Sequence, residues 1–330
     1  MSFFDRFQPL TIGRAIRTAW PAPELILGPL QAGDVGLISG ADGIGKSYVA
    51  ACAALAVAHG RSDLFGGMWD VPNATAQVVY FAVEDRETDH GRRLQWLAQH
   101  ARRFDGLHTE EEDDSVTLLP TQGVRVQLIE RGEKPGQYVV TATGEEWAAM
   151  VKDYRLVIID PLRAFHGLDE SDGPGMDFLV RWLVSIAMKN QQAILGVHHA
   201  SQSAILDRRD DHHAGRGATD LPAGCRGVWV VRGLNETELK RLGLGGGQGE
   251  DAQQERRLWR ALVNGKASHG DEAGVRYLKK QEKGVLRVDA LPGSSTGRQT
   301  PQTPDKNSYT RSKNGQSAAL ALAGGRDDWE

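Results

Sequence analysis

Residues Gly40-Ala41-Asp42-Gly43-Ile44-Gly45-Lys46-Ser47 spell GxxxxGK[ST], and their surroundings leave few folds open. The apolar run DVGLISG (34–40) enters the motif as a strand, and GKSYVAACAALAVAH (45–59) leaves it as a helix. That strand–loop–helix context separates a phosphate-binding loop from an ordinary glycine-rich turn. Glycines let backbone N–H groups turn inward around phosphate oxygens, and the helix N-terminus adds positive potential. Gly40, Gly43, Ile44, Gly45, Lys46, Ser47 and Tyr48 are therefore the candidate nucleotide-binding residues. Lys46 would reach the β/γ-phosphates of ATP, and the Ser47 hydroxyl would sit on Mg²⁺.

The chain around the motif alternates strands with helices. QVVYFAV (77–83), LVIID (156–160) and AILGVHH (193–199) read as buried strands, with helices expected around 86–103 and over 176–190. Such alternation predicts an α/β fold with a mostly parallel twisted sheet covered on both faces. The later runs GVWVVRGL (227–234), RRLWRALVN (256–264), VRYLKKQEK (275–283) and GVLRVDAL (284–291) are β-rich with short connections. They are expected to extend the sheet in antiparallel fashion. Glu110 to Asp114 is an unbroken acidic run, read as a solvated loop. GLGGGQGED (243–251) reads as a flexible turn, and the polar tail after about residue 293 as a segment that does not order itself. Residues 1–24 form an N-terminal arm, 25–292 the main domain and 293–330 the tail.

Carboxylates and histidines gather at predicted strand ends. Asp160 closes LVIID, where a carboxylate at the C-terminal edge of a parallel sheet shares a crevice with the phosphate loop and holds Mg²⁺ through water. No acid follows it directly, so a base for an attacking water has to come from another strand. Glu84 is the candidate, with the reach to orient water. Asp85 competes for the role, or caps the following helix. His198 and His199 end the fourth strand. A side chain there can bond the γ-phosphate, and a metal site or a structural histidine are the other readings. Adjacent strand residues face opposite sides, which counts against two ligands for one metal. Beyond them, SQSAILDRRDDHHAGRGATDLPAGCRG is a long charged loop. Arg216, flanked by glycines, and Arg226 are candidates for an arginine finger.

Composition narrows the function class. Two cysteines, Cys52 and Cys225, lie far apart without CxxC spacing, which argues against a disulfide scaffold or zinc finger and for a reduced cytoplasmic protein. MSFFDRFQPL carries charges where an export signal needs an apolar stretch, and no run reaches the roughly 18–20 apolar residues of a membrane span. The 330 residues carry a formal charge of −4. Five acids of one run, 110–114, account for that sign, and positive excess lies after His199. Mild acidity therefore leaves DNA open as a partner.

Taken together, GADGIGKS, VVYFAVEDRETDHGRRL, LVIIDPLRAFH, ILGVHHAS, the GRG around Arg216 and RALVNGKASHG resemble the RecA-like ATPases. In particular they resemble the RepA hexameric replicative helicases of broad-host-range plasmids, over about residues 25 to 291. The resemblance implies a RecA-like P-loop NTPase core using ATP and Mg²⁺, with Lys46 and Ser47 on phosphate and metal. It further implies Glu84 as base, Asp160 as Walker-B acid, His199 as γ-phosphate sensor, Arg216 as a finger acting in trans, and Lys266 facing the neighbour's nucleotide. Loops from Arg163 to Gly173 and after His199 would line a channel for single-stranded DNA in a hexameric ring. A separate primase or initiator protein would then serve priming. The chain departs from the family after Lys266, where Ala267-Ser268-His269-Gly270 stand in place of an Asn and an aromatic residue.

Overall fold

The computed structural model describes residues 10–109, 113–124, 126–199, 220–244, 250–268 and 274–289. These all fall within one unit, Met1–Gly293, and a second unit, Ser294–Glu330, lies outside the described residues with the tail. A short helix, α1 (Ile12–Arg17), and an antiparallel pair, β1 (Leu25–Leu27) and β2 (Leu30–Gln31), lead into β3 (Val35–Gly40). Then come α2 (Lys46–His59), α3 (Leu64–Gly67), β4 (Val78–Ala82), α4 (Glu87–Asp105) and β5 (Val116–Pro120). A hairpin of β6 (Ile129–Arg131) and β7 (Tyr138–Val140) and the helix α5 (Ala142–Met150) precede β8 (Leu156–Asp160). The helix α6 (Gly173–Asn190) then leads to β9 (Ala193–His199). The C-terminal part holds α7 (Asp220–Gly224), β10 (Gly227–Arg232), α8 (Glu236–Arg241), α9 (Glu250–Leu258), β11 (Trp259–Ala267), β12 (Val275–Lys280) and β13 (Leu286–Val288).

Nine strands form one sheet in the order β13-β12-β11-β10-β3-β9-β8-β4-β5. The six from β10 to β5 run parallel, and β11, β12 and β13 add antiparallel strands at one side. Alternation along each strand sends side chains to two separate cores. Val78, Tyr80 and Ala82 pack on the α2 face, whereas Val79 and Phe81 meet Trp147, Leu179 and Leu183 on the α5–α6 face. α2 is apolar on all sides, and every residue from Val49 to Ala58 is buried. A helix of that kind has to be enclosed. Here the sheet covers one side, and Leu64, Phe65, Leu97 and Leu286 cover the rest. No helix among the described residues is long and apolar enough to cross a membrane.

Several expectations change. Residues 227–232 are parallel to β3, not antiparallel to their neighbours throughout, because the chain after β9 re-enters the sheet beside β3 on the side opposite β9, running the same way as both. Residues 256–258 belong to helix α9, and strand β11 starts only at Trp259. Asp113 and Asp114, the described residues of the acidic run, are exposed as expected, though Asp113 also makes local contacts. Its carboxylate accepts from Ser115 N at 3.0 Å and Ser115 Oγ at 2.6 Å and lies 3.5 Å from His59 Nε2. The rest of the acidic run at 110–112, the centre of the glycine-rich turn and the loop at 200–219 lie outside the described residues.

Candidate functional site: a phosphate loop at the sheet's C-terminal edge

Gly40 ends β3 paired with His199 of β9 on one side and Val231 of β10 on the other. A Cβ at Gly40 would stand 2.5 Å from the Val231 carbonyl oxygen, so only glycine lets the chain leave the sheet there. Gly43 (φ +69) and Gly45 (φ +109) then adopt left-handed backbone that favours glycine. The loop wraps back onto its own lysine. Lys46 Nζ donates to Gly40 O at 3.0 Å and Ala41 O at 2.9 Å and is buried. Burial pulls its pKa below the usual lysine value, while the charges of Asp42, Asp160 and Glu84 push it up.

β9 lies between β3 and β8, so three strand ends converge on the loop. Asp160, buried at the end of β8, accepts a hydrogen bond from Tyr80 Oη at 2.5 Å. The same hydroxyl lies 3.5 Å from Ser47 O, which ties the end of β8 to the start of α2. Burial first, and then the charge of Asp160, push the Tyr80 hydroxyl well above its ordinary pKa, so it stays a proton donor. His199 Nδ1 is hydrogen-bonded to Asp42 in the loop, and its Nε2 lies 3.7 Å from Glu84 Oε1. His198 points the other way, buried and 3.7 Å from Glu170 Oε1. Ser47 and Asp160 offer hydroxyl and carboxylate oxygens, the hard donor type that Mg²⁺ takes.

The two adjacent acids differ in their surroundings. Asp85 is bonded by Arg93 Nη2 at 2.6 Å, and the Arg93 guanidinium also lies 5.2 Å from the centre of the Tyr48 ring. Glu84 is largely exposed, at 63%, and points toward His199. Tyr48 donates to Lys283 O at 2.7 Å, and Ile44 O accepts from Arg260 Nε at 3.1 Å, so β11 and the turn before β13 brace the loop from outside. Asp42, Tyr80, Arg93 and Arg260 were not singled out from sequence. Only Tyr80, a polar tip in an otherwise apolar strand ending near an acid, left a readable signal.

Two of the sequence candidates are not brought to this loop. Lys266 pairs with Val228, and Val228 with Leu37, which puts it at the start of β10, near the edge away from the P-loop. There it donates to Pro222 O at 3.2 Å and Ala223 O at 2.6 Å. Arg226 stands exposed just before β10 on that same edge. Arg216 lies outside the described residues.

A family model described as "AAA domain" matches residues 4–204. Two solved structures share the fold. One is titled "ATPase Domain of G40P", with a TM-score of 0.50, 13% identity and coverage of 79% of this chain and 86% of that one. The other is a DnaB-like replicative helicase described with its interactions with primase, with a TM-score of 0.51 and 12% identity. That match covers 78% of this chain and 59% of the helicase chain. Identities this low speak to architecture: a RecA-like P-loop core with a mostly parallel sheet and antiparallel strands at its C-terminal side. With its phosphate loop seated in that core and more than half its length matched, the chain belongs to the AAA domain family of P-loop ATPases.

Proposed function

We propose that the chain is a ring-forming, ATP-driven DNA helicase that translocates on single-stranded DNA, serving replication of a plasmid or similar mobile element. The observation that carries this reading is the meeting of Lys46, Asp160, Glu84 and His199 at one sheet edge. From that same edge rises the segment after Asp160, with Leu162 and Phe165 buried as anchors and Arg163 exposed.

In this reading the P-loop N–H groups and Lys46 hold the β/γ-phosphates, and Ser47 and Asp160 hold Mg²⁺. Bound there, the metal neutralises charge on the phosphate oxygens. Glu84 takes the proton of the water that attacks the γ-phosphorus, and His199 senses that phosphate. The placement of Lys266 and Arg226 away from their own chain's loop supports a role toward a neighbour's nucleotide, alongside Arg216 as the finger. The Arg163–Gly173 loop and the loop after His199 line the DNA channel, and passage of hydrolysis around a hexamer moves them. A primase or initiator protein supplies the priming step.

ATP turnover with and without single-stranded DNA, together with strand displacement on a forked duplex, tests the reading. A helicase gives DNA-stimulated turnover and unwinding, both lost in Lys46→Ala. Stimulated turnover without unwinding would replace it with a DNA-binding ATPase of repair or recombination. Turnover blind to DNA would replace it with a nucleotide-gated regulatory module.

A further inference from the structure

The phosphate loop carries a carboxylate of its own, Asp42, among the residues proposed above to hold phosphate. Its Oδ1 is hydrogen-bonded to His199 Nδ1 and stands 3.8 Å from Lys46 Nζ. Lys46 Nζ in turn lies 3.5 Å from that same His199 nitrogen. One carboxylate therefore engages both side chains that the proposed reaction assigns to the terminal phosphates. Asp42 is 86% exposed, so water screens its contacts and makes them readily exchangeable. A triphosphate offers the same chemistry, anionic oxygens that accept from N–H donors, with more charge. A phosphate oxygen held by Lys46 and His199 would compete with the Asp42 carboxylate for the same donors, and like charges beside each other repel.

We propose that Asp42 is a built-in competitor for the terminal phosphates, a side chain that holds Lys46 and His199 and gives them up when phosphate oxygens arrive. The inference rests on the nucleotide-site reading above and deepens it. Phosphate entry has to break the link between the P-loop and the end of β9, and loss of the γ-phosphate lets Asp42 take His199 back. Asp42 thus sets the affinity for nucleotides that carry β- and γ-phosphates, with little influence on a monophosphate that reaches neither Lys46 nor His199.

Calorimetric titration of the full chain with the β,γ-imido analogue of ATP, and with AMP, tests this. The titrations are run in EDTA and in Mg²⁺, at low and at high ionic strength. Asp42→Asn should bind the triphosphate analogue roughly tenfold tighter than wild type, the scale of one partly screened charge removed from beside the ligand. The gain should shrink at high ionic strength and be absent for AMP. In a His199→Ala background, where the Asp42–His199 contact is already gone, the gain should be smaller. Unchanged or weaker binding by Asp42→Asn would overturn the proposal. So would a weakening confined to Mg²⁺, which would make Asp42 a support for the metal. If wild type fails to bind the analogue, or Lys46→Ala binds it equally well, the nucleotide-site reading fails first and the Asp42 proposal falls with it.

Discussion

A carboxylate that activates water has to be spared from a permanent ion pair, and residues 84 and 85 divide on that point. Asp85 is committed to Arg93, which holds the start of α4 against the strand end, while Glu84 faces His199 from solvent. Glu84→Gln should therefore keep nucleotide binding and lower kcat by roughly 10²–10⁴-fold, the usual range for losing a general base. Analogue titration and steady-state turnover measure the two separately, and near-normal turnover would move the role to Asp85. A second residue-scale prediction concerns His166, buried behind the Asp160 strand. Burial first, and then the neighbouring His198, push its pKa down to about 4. An unfolded histidine takes up its proton near pH 6.5, so between about 6.5 and 4 the unfolded chain binds more protons than the folded one. Stability should fall across that window on acidification, by at most about 1.4 kcal/mol per pH unit from this group. Urea unfolding midpoints measured against pH should show a shallower slope in His166→Gln; an unaltered slope would rule the residue out as the source.

At the scale of elements, Asp172 decides whether the hairpin and α6 act as one piece. Its carboxylate caps α6 through Gly175 N at 3.2 Å and also accepts from Tyr138 Oη at 2.8 Å and Arg131 Nη2 at 2.7 Å. Asp172→Ala should cost about 2 kcal/mol, the upper range for a lost cap, and Asp172→Asn should recover most of it. Denaturant midpoints of the two variants check this, and equal losses would show that charge outweighs capping. Neither the cap nor the hairpin was legible in sequence, because strands of three residues carry too little period to stand out from a loop. The P-loop, β8, β9 and their edge were legible, since the motif and the apolar runs fix local backbone and burial directly. The direction of β10 was not, because it depends on where a long connection returns. Helix α9 was misread at residues 256–258 because Trp259 and Leu262 lend their apolar pattern to the charged turn before them. At the site itself, Lys46 came from the phosphate-loop motif, Asp160, Glu84 and the His198–His199 pair from strand-end logic, and the choice of His199 from the family resemblance. Tyr80, Arg260 and Asp42 act through contacts between strands far apart in sequence, which no local pattern encodes.

At the scale of the whole molecule, the decisive question is whether one chain completes its own active site. The edge with the P-loop holds Lys46, Asp160 and Glu84, while Lys266 and Arg226 sit near the start of β10, roughly 13 Å back along the strands at about 3.3 Å per residue. A basic group on that edge reaches a terminal phosphate only if the phosphate belongs to another copy. On the proposed reading Arg216, which lies outside the described residues, also acts on a neighbour's nucleotide, and Arg216→Ala should bind nucleotide yet fail to hydrolyse it, since a finger acts on transition-state charge. Lys46→Ala should fail for the opposite reason, through loss of its own phosphate loop, while still presenting an intact Arg216. Mixed in one assembly, the two inactive variants create interfaces where an intact loop meets an intact finger. Turnover should then reappear, rising and falling with the mixing ratio, and greatest near equal amounts. A finger acting within its own chain would leave every mixture as inactive as its components. Subunit exchange has to be demonstrated in the same samples, by mass or by fluorescence transfer between labelled chains, so that an inactive mixture counts against the trans arrangement.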